Sequence, residues 1–314
     1  MASLIGFQRQ QFGGWGVRTV DVMANVAESG GFQPDHIEVS AGETVVVRFH
    51  TKDVTHGVAL GPGLDVDLGD IAPGEVKAVK LTFDEAGTFT FYCNRWCSPN
   101  HWRMRGIIAV SNSHGTTPGA PRDPVIENLI AEGVDIDSAV HEMTRPVDTQ
   151  PVRPSIVRGA AIRSTFSIPA ELTATAWRRT HAPEEGSALL AQANSAISSA
   201  DLEDIVASFW ASAPDGFNAR ATAGLYAKNC ASCHGAQGAG DGLAAGLAQQ
   251  PPPSFADPNR MVARRNDVLY AKIRRGGMGT GMPNFGTLFT PEETWDLVHL
   301  LRSFSTQEGA GERR

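Results

Sequence analysis

The chain of 314 residues has only four cysteines and three tyrosines, and no excess of basic residues. Each shortage excludes something. No segment reaches the roughly 18 to 20 consecutive apolar residues that a membrane-spanning helix needs. The opening residues, MASLIGFQRQQFGGWG, lack a positive stretch followed by an apolar one, so neither a signal peptide nor an anchor is expected here. A formal net charge of −7 argues against nucleic acid as a partner. An even count of four cysteines would usually suggest disulfides in an exported protein, but the spacings give both pairs another use. What remains is ordinary globular material, 41% hydrophobic and 19% charged, long enough for two or three domains. The 33 glycines and 19 prolines point to many turns. Charge is uneven: residues 116–215 carry 7 basic and 14 acidic groups, whereas 216–314 carry 11 and 8. Such a contrast favours docking of one region on the other, or of each on a different partner.

The cysteines fall into two pairs, Cys93/Cys97 and Cys230/Cys233. Around the first pair, residues 31–115 read as an antiparallel β domain. HIEVSAGETVVVRFH alternates about a glycine turn, followed by VKAVKLTF, a turn at Asp84–Gly87, TFTFYC and GIIAV. Short strands at regular spacing suggest a β-sandwich. Phe49, Phe83, Phe89 and Phe91 are its expected core, and His36 and His50 its ordinary strand histidines. On this frame FYCNRWCSPNHWRM sets Cys93, Cys97, His101 and Met104 in one inter-strand loop. His56, in DVTHGVAL, lies just after an earlier strand.

Thiolate, imidazole and thioether form a soft ligand set that suits copper. A mononuclear site needs one cysteine. The second allows both thiolates to bridge two copper ions, each with one terminal imidazole from His56 or His101. Met104 is then a weak axial ligand on one metal and a backbone carbonyl serves the other. Two alternatives stand beside this reading. One is a structural zinc site of two cysteines and two histidines, whose usual spacing has two local pairs. The other is a Cys93–Cys97 disulfide.

The second pair lies in ATAGLYAKNCASCHG, where Cys230, Cys233 and His234 spell Cys-x-x-Cys-His, the haem-attachment signature. Cys230 and Cys233 would form thioethers and His234 would ligate the iron. A thioredoxin-like pair or a zinc knuckle competes on the short motif alone. GGMGTGMPNFG follows, then the helix PEETWDLVHLLRSF with Thr290 as N-cap and Pro291 at its first position. Haem attachment of this kind takes place outside the cytoplasm, so a periplasmic or extracytoplasmic location is expected.

DVTHG, PGEVKAVKLTFDEAGTFTFYC and CNRWCSPNHWRM together resemble the CuA domain of cytochrome c oxidase subunit II and of nitrous oxide reductase, a cupredoxin fold, over roughly residues 31–111. The resemblance implies a dinuclear copper centre. In subunit II the residue two after the first cysteine is usually Glu, ligating through its carbonyl. Here it is Arg95, which retains a carbonyl but not the side chain. The order of glycine–tyrosine helix, attachment motif, Met–Pro loop and terminal helix resembles a class I cytochrome c. That family implies Met282 as the distal iron ligand, with Met278 its competitor.

The expected architecture is a cupredoxin sandwich (31–115) after an N-terminal extension (1–30), a mostly helical linker (116–215), an all-α cytochrome c domain (216–306) and a tail (307–314). The linker holds an amphipathic helix, SSADLEDIVASFWASAP, capped by Ser198 or Ser199, and a helical stretch, VIENLIAEGVDIDSAVHEM. It is a candidate haem-less cytochrome remnant, and His141, Met143 and His181 are its plain surface or packing residues. The implied function is electron transfer beside a membrane-embedded oxidase or reductase catalytic subunit, fed by an upstream cytochrome or quinol-oxidising donor. The alternative is a soluble carrier serving a nitric or nitrous oxide reductase.

Overall fold

A computed structural model describes residues 16–64, 66–98, 100–119, 122–134, 136, 152–248, 250–277 and 280–306. Met278, His141, Met143 and the tail 307–314 lie outside the described residues. The chain divides into two compact units: residues up to Arg122 with Gly286–Thr290, and Asp123–Phe285 with Pro291 onward.

The first unit is a sandwich of nine described strands: β1 (Arg18–Ala24), β2 (Phe32–Gln33), β3 (His36–Ser40), β4 (Thr44–Thr51), β5 (His56–Gly61), β6 (Val66–Ile71), β7 (Val76–Thr82), β8 (Gly87–Tyr92) and β9 (Arg105–Ser111). One sheet runs β2-β1-β4-β7 and the other β3-β9-β8-β5-β6. The sequence pattern suggests antiparallel pairing throughout, but β1 pairs with β4, and β3 with β9, in parallel. The sandwich also begins before residue 31. β1 pairs along all seven of its residues, from Arg18↔Val45 to Ala24↔Thr51, and contributes fully buried Val22 and Ala24.

Between the sheets, alternate side chains of each strand meet. Phe32, Phe49 and Phe91 pack edge to face with centroids 5.2 to 6.0 Å apart. Phe91 presses on the backbone of β9 at Gly106, where an added Cβ would lie 2.0 Å from the ring. Only glycine fits there. Phe91 stands two residues before Cys93, so the same packing sets where the cysteine loop leaves β8.

The second unit is helical. In the linker, α1 (Pro124–Ala131) starts at an Asp123 cap and ends before Gly133, whose φ of 74° stops it. The helical stretch read over 125–143 is therefore shorter where described. α2 (Ile156–Ile162), α3 (Pro183–Ala193) and α4 (Ser199–Trp210) follow. Ser198 caps α4 by accepting from Asp201 N at 3.1 Å. Leu172, Leu190, Ile205, Val206, Phe209 and Trp210 form one core. Within it Asp204 is fully buried, accepting from Ser155 N at 2.8 Å and Arg158 at 2.6 Å. α5 (Ala219–Asn229), α6 (Ala231–His234), α7 (Asn266–Arg275) and α8 (Pro291–Ser303) come next, and three further helices (Ala170–Thr173, Thr175–Thr180 and Pro258–Val262) lie among these elements; α8 begins at Pro291, as its sequence suggests.

The aromatic triad supports the sandwich directly. Phe49→Ala should lower the stability of the first unit by about 3 to 5 kcal/mol, read from its chemical denaturation midpoint. An unchanged midpoint would show that the triad is not its core.

Candidate metal centres

Three strands supply the first site. β8 runs into the loop carrying Cys93 and Cys97, β9 receives it after Met104, and the neighbouring β5 opens with His56. The loop is closed at its base by the register Tyr92↔Arg105 and by Cys93 N donating to Met104 O at 3.0 Å. A turn at His101–Arg103 sets His101 inward. Among the described residues, His56, Cys93 and Cys97 form a group able to hold a metal ion, with ligand atoms all within 4.8 Å of one another.

The two sulfurs are 3.8 Å apart. That is far beyond the roughly 2.05 Å of a disulfide, and all four cysteines are free. It is close enough for one metal to touch both sulfurs, since metal–thiolate bonds are about 2.3 Å. Met104 Sδ lies 3.4 Å from Cys97 Sγ, and Arg95 O lies 3.2 Å from Cys93 Sγ. The Arg95 side chain instead pairs with Asp70. His56 Nδ1 and His101 Nδ1 are buried without a hydrogen-bond partner. Buried polar atoms rarely stay unsatisfied, so two orphaned imidazole nitrogens beside two thiols fit a metal site.

Electrostatics agree. Cys97, then His101 and His56, favour the Cys93 thiolate against the cost of burial and lower its pKa. The same contact with Cys93, together with burial, raises Cys97. Burial opposes a charge on His56, yet Cys93 and Asp53 outweigh it and raise its pKa.

Sequence reasoning missed three supports. Asp53 Oδ1 lies 2.8 Å from His56 Nε2, and Asp53 also accepts from Val26 N at 2.7 Å, Val54 N at 2.6 Å and Thr51 Oγ1 at 2.9 Å. Burial pushes its carboxyl up, but these donors hold it below the usual range. The signal available was the spacing in Asp-Val-Thr-His. Trp96 meets the His101 ring edge-on at 5.0 Å. Asn100 donates to Glu28 at 2.9 Å, tying the loop to residues placed outside the domain by sequence.

At the second site, α5 leads into α6 so that Cys230, Cys233 and His234 share one helical turn, with His234 N donating to Cys230 O at 2.9 Å. Tyr226 Oη donates to Gly235 O at 2.8 Å. Burial pushes the Cys230 thiol up to about 12. Burial also brings His234 down to about 4, with the Pro253 carbonyl acting the other way. A neutral imidazole with Nδ1 orphaned, stacked on Phe255 at 4.8 Å, suits an iron ligand. Met282 occupies a separate loop, its N accepted by Thr280 Oγ1 at 3.2 Å.

Residues 17–110 match the family model of the cupredoxin-like domain, and residues 219–305 that of cytochrome c. Two curated relatives from Thermus thermophilus, each named cytochrome c oxidase subunit 2, are 37% identical over 80 residues. That stretch is 26% of this chain and 58% and 46% of theirs, so the chain spans about half the length of the curated relatives it matches. Solved structures similar to it include a heme-copper terminal oxidase dimer (21% identity, TM-score 0.27, 35% of this chain and 88% of that one). Another is the periplasmic domain of subunit II of cytochrome oxidase from Bradyrhizobium japonicum (20% identity, TM-score 0.25, 31% and 86%). The chain thus joins a cupredoxin-like domain, homologous to cytochrome c oxidase subunit II, to a cytochrome c domain.

Asp53 gives the first site a test of its own. Asp53→Ala should weaken copper binding by about 10- to 100-fold, measured by competition with a chelator; unchanged affinity would remove Asp53 from the site.

Proposed function

We propose that this chain conducts electrons through a dinuclear copper centre and a covalently held c-type haem, as the subunit II-like component of a haem-copper oxidase-type complex. Cys93, Cys97, His56, His101, Met104 and the Arg95 carbonyl would hold the copper. Cys230 and Cys233 would anchor the haem, with His234 and Met282 on its iron. The observation that carries the reading is the pair of free sulfurs 3.8 Å apart, flanked by two orphaned imidazole nitrogens. Bound there, copper and haem supply one-electron redox chemistry.

The chain's own residues supply rigidity and dryness. His56 is fully buried, Met104 is 1% exposed and Cys93 is 4% exposed, so water is kept from these three, while Cys97 is partly buried. Asp53 fixes the His56 ring by its far nitrogen, as outer-shell carboxylates do at metal sites. The strand register at Tyr92↔Arg105 holds the loop at a constant width. A frame that does not move on gain or loss of an electron is what such a centre requires. No acid–base or nucleophilic group is needed on this chain.

The homology to subunit II supports a membrane-embedded catalytic partner and an extracytoplasmic location. Metal analysis of the purified full chain tests the reading. The expected content is two copper ions and one iron per chain, with haem staying attached under denaturing conditions. A single copper, or zinc in its place, would contradict it. A chain that purifies alone and reduces no integral membrane partner would be a free-standing carrier instead.

A further inference from the structure

The loop carrying Met282 is laced to the end of α7. Gly277 N donates to Met282 O at 3.2 Å, and Phe285 N to Ile273 O at 3.1 Å. Gly276 has a φ of 78°, and an added Cβ there would lie 2.6 Å from Met282 O. The position of Met282 is therefore inherited from the last turn of α7.

That turn is held by a residue from outside the cytochrome c match. Asp123 Oδ2 pairs with Arg274 Nε at 2.5 Å and accepts from Tyr270 Oη at 2.8 Å. Its other oxygen accepts from Val125 N at 3.0 Å and caps α1. The pair is largely buried, with side chains 10% and 13% exposed. Arg274 also lies over the Tyr270 ring, 5.6 Å from its centroid, and reaches Thr294 of α8 at 3.4 Å. Tyr270 stacks on Trp295 of the same helix at 4.5 Å. At the far end of α1, Glu132 pairs with Arg265 at 2.8 Å, at the start of α7 and away from the loop. The two helices are thus pinned antiparallel at both ends, over a seam of Leu129, Ile136, Val268 and Ala271.

We infer that Asp123 is a positioning residue for the distal methionine: through Arg274 and Tyr270 it fixes the last turn of α7, and so the linker helps to set the ligand strength at the haem iron. The inference rests on Met282 as the iron ligand. A buried guanidinium that loses its carboxylate must move toward water or another acceptor. Arg274 is two residues from Gly276, so that movement reaches the loop within one turn.

The test uses the full haem-loaded chain. Asp123→Ser keeps a capping oxygen but lacks the reach and charge to hold Arg274. Tyr270→Phe removes one hydroxyl and preserves the packing. Glu132→Gln cuts the pin at the other end. Imidazole, titrated into the ferric protein, competes with the methionine, and loss of the near-infrared methionine–iron charge-transfer band reports its displacement. Asp123→Ser should lower the apparent imidazole dissociation constant by about tenfold and lower the reduction potential. Tyr270→Phe should shift both in the same direction by less, and Glu132→Gln should leave both unchanged. Wild-type values in Asp123→Ser and Tyr270→Phe, or an equal shift in Glu132→Gln, would overturn the positioning role while leaving the ligand in place. A wild-type chain without the charge-transfer band would overturn both the methionine assignment and the inference built on it.

Discussion

Buried Cys93 and partly buried Cys97 keep their sulfurs 3.8 Å apart, and the cupredoxin unit is arranged so that this distance persists. The sulfurs do not close to a disulfide and do not separate into independent thiols. Thiolate charge in such a pocket is costly to bury unless positive charge lies beside it. The loop's ends are set by the β8–β9 register, and its opposite wall by β5, which pairs with β8 at Ala59↔Tyr92. The Phe32–Phe49–Phe91 triad, packed between the sheets, anchors β8. Packing, register and ligand spacing are thus one chain of constraints, from the core outward to the sulfurs.

The motifs were legible because they are local. Cys93, Cys97, His101 and Met104 fall within a single loop, and Cys230, Cys233 and His234 within a single turn, so spacing alone places them together. His56 was legible as a donor, and the strand order explains its proximity. What escaped is non-local. β1 gains its place by parallel pairing with β4, some two dozen residues later, and nothing within RTVDVMA announces a partner. Asp53 looks like a turn residue until its oxygens are seen holding His56 and the backbone of Val26. The link between Asp123 and Arg274 spans most of the second unit and leaves no spacing to read.

The uneven charge does have a structural counterpart. The acidic linker meets the basic cytochrome segment through Asp123–Arg274 and Glu132–Arg265, and Lys272 donates to Ile136 O at 3.0 Å. Asp123 and Glu132 lie outside the region matched by the cytochrome c model, yet they neutralise α7 at both ends. Arg302 shows the opposite solution: 4% exposed, it is held by the Met261 and Arg264 carbonyls and by Asn266 Oδ1 at 2.7 Å. Burial lowers its pKa to about 9. Neutral acceptors can fix a guanidinium in place, but a carboxylate lets one residue also join two helices.

The central claim is that the two cysteines share two metals and not one. Electron paramagnetic resonance of the copper-loaded oxidised chain tests it most directly. The predicted result is hyperfine structure from a single unpaired electron spread equally over two copper nuclei. Coupling to one copper nucleus alone, or no copper signal with zinc bound in the site, would contradict it.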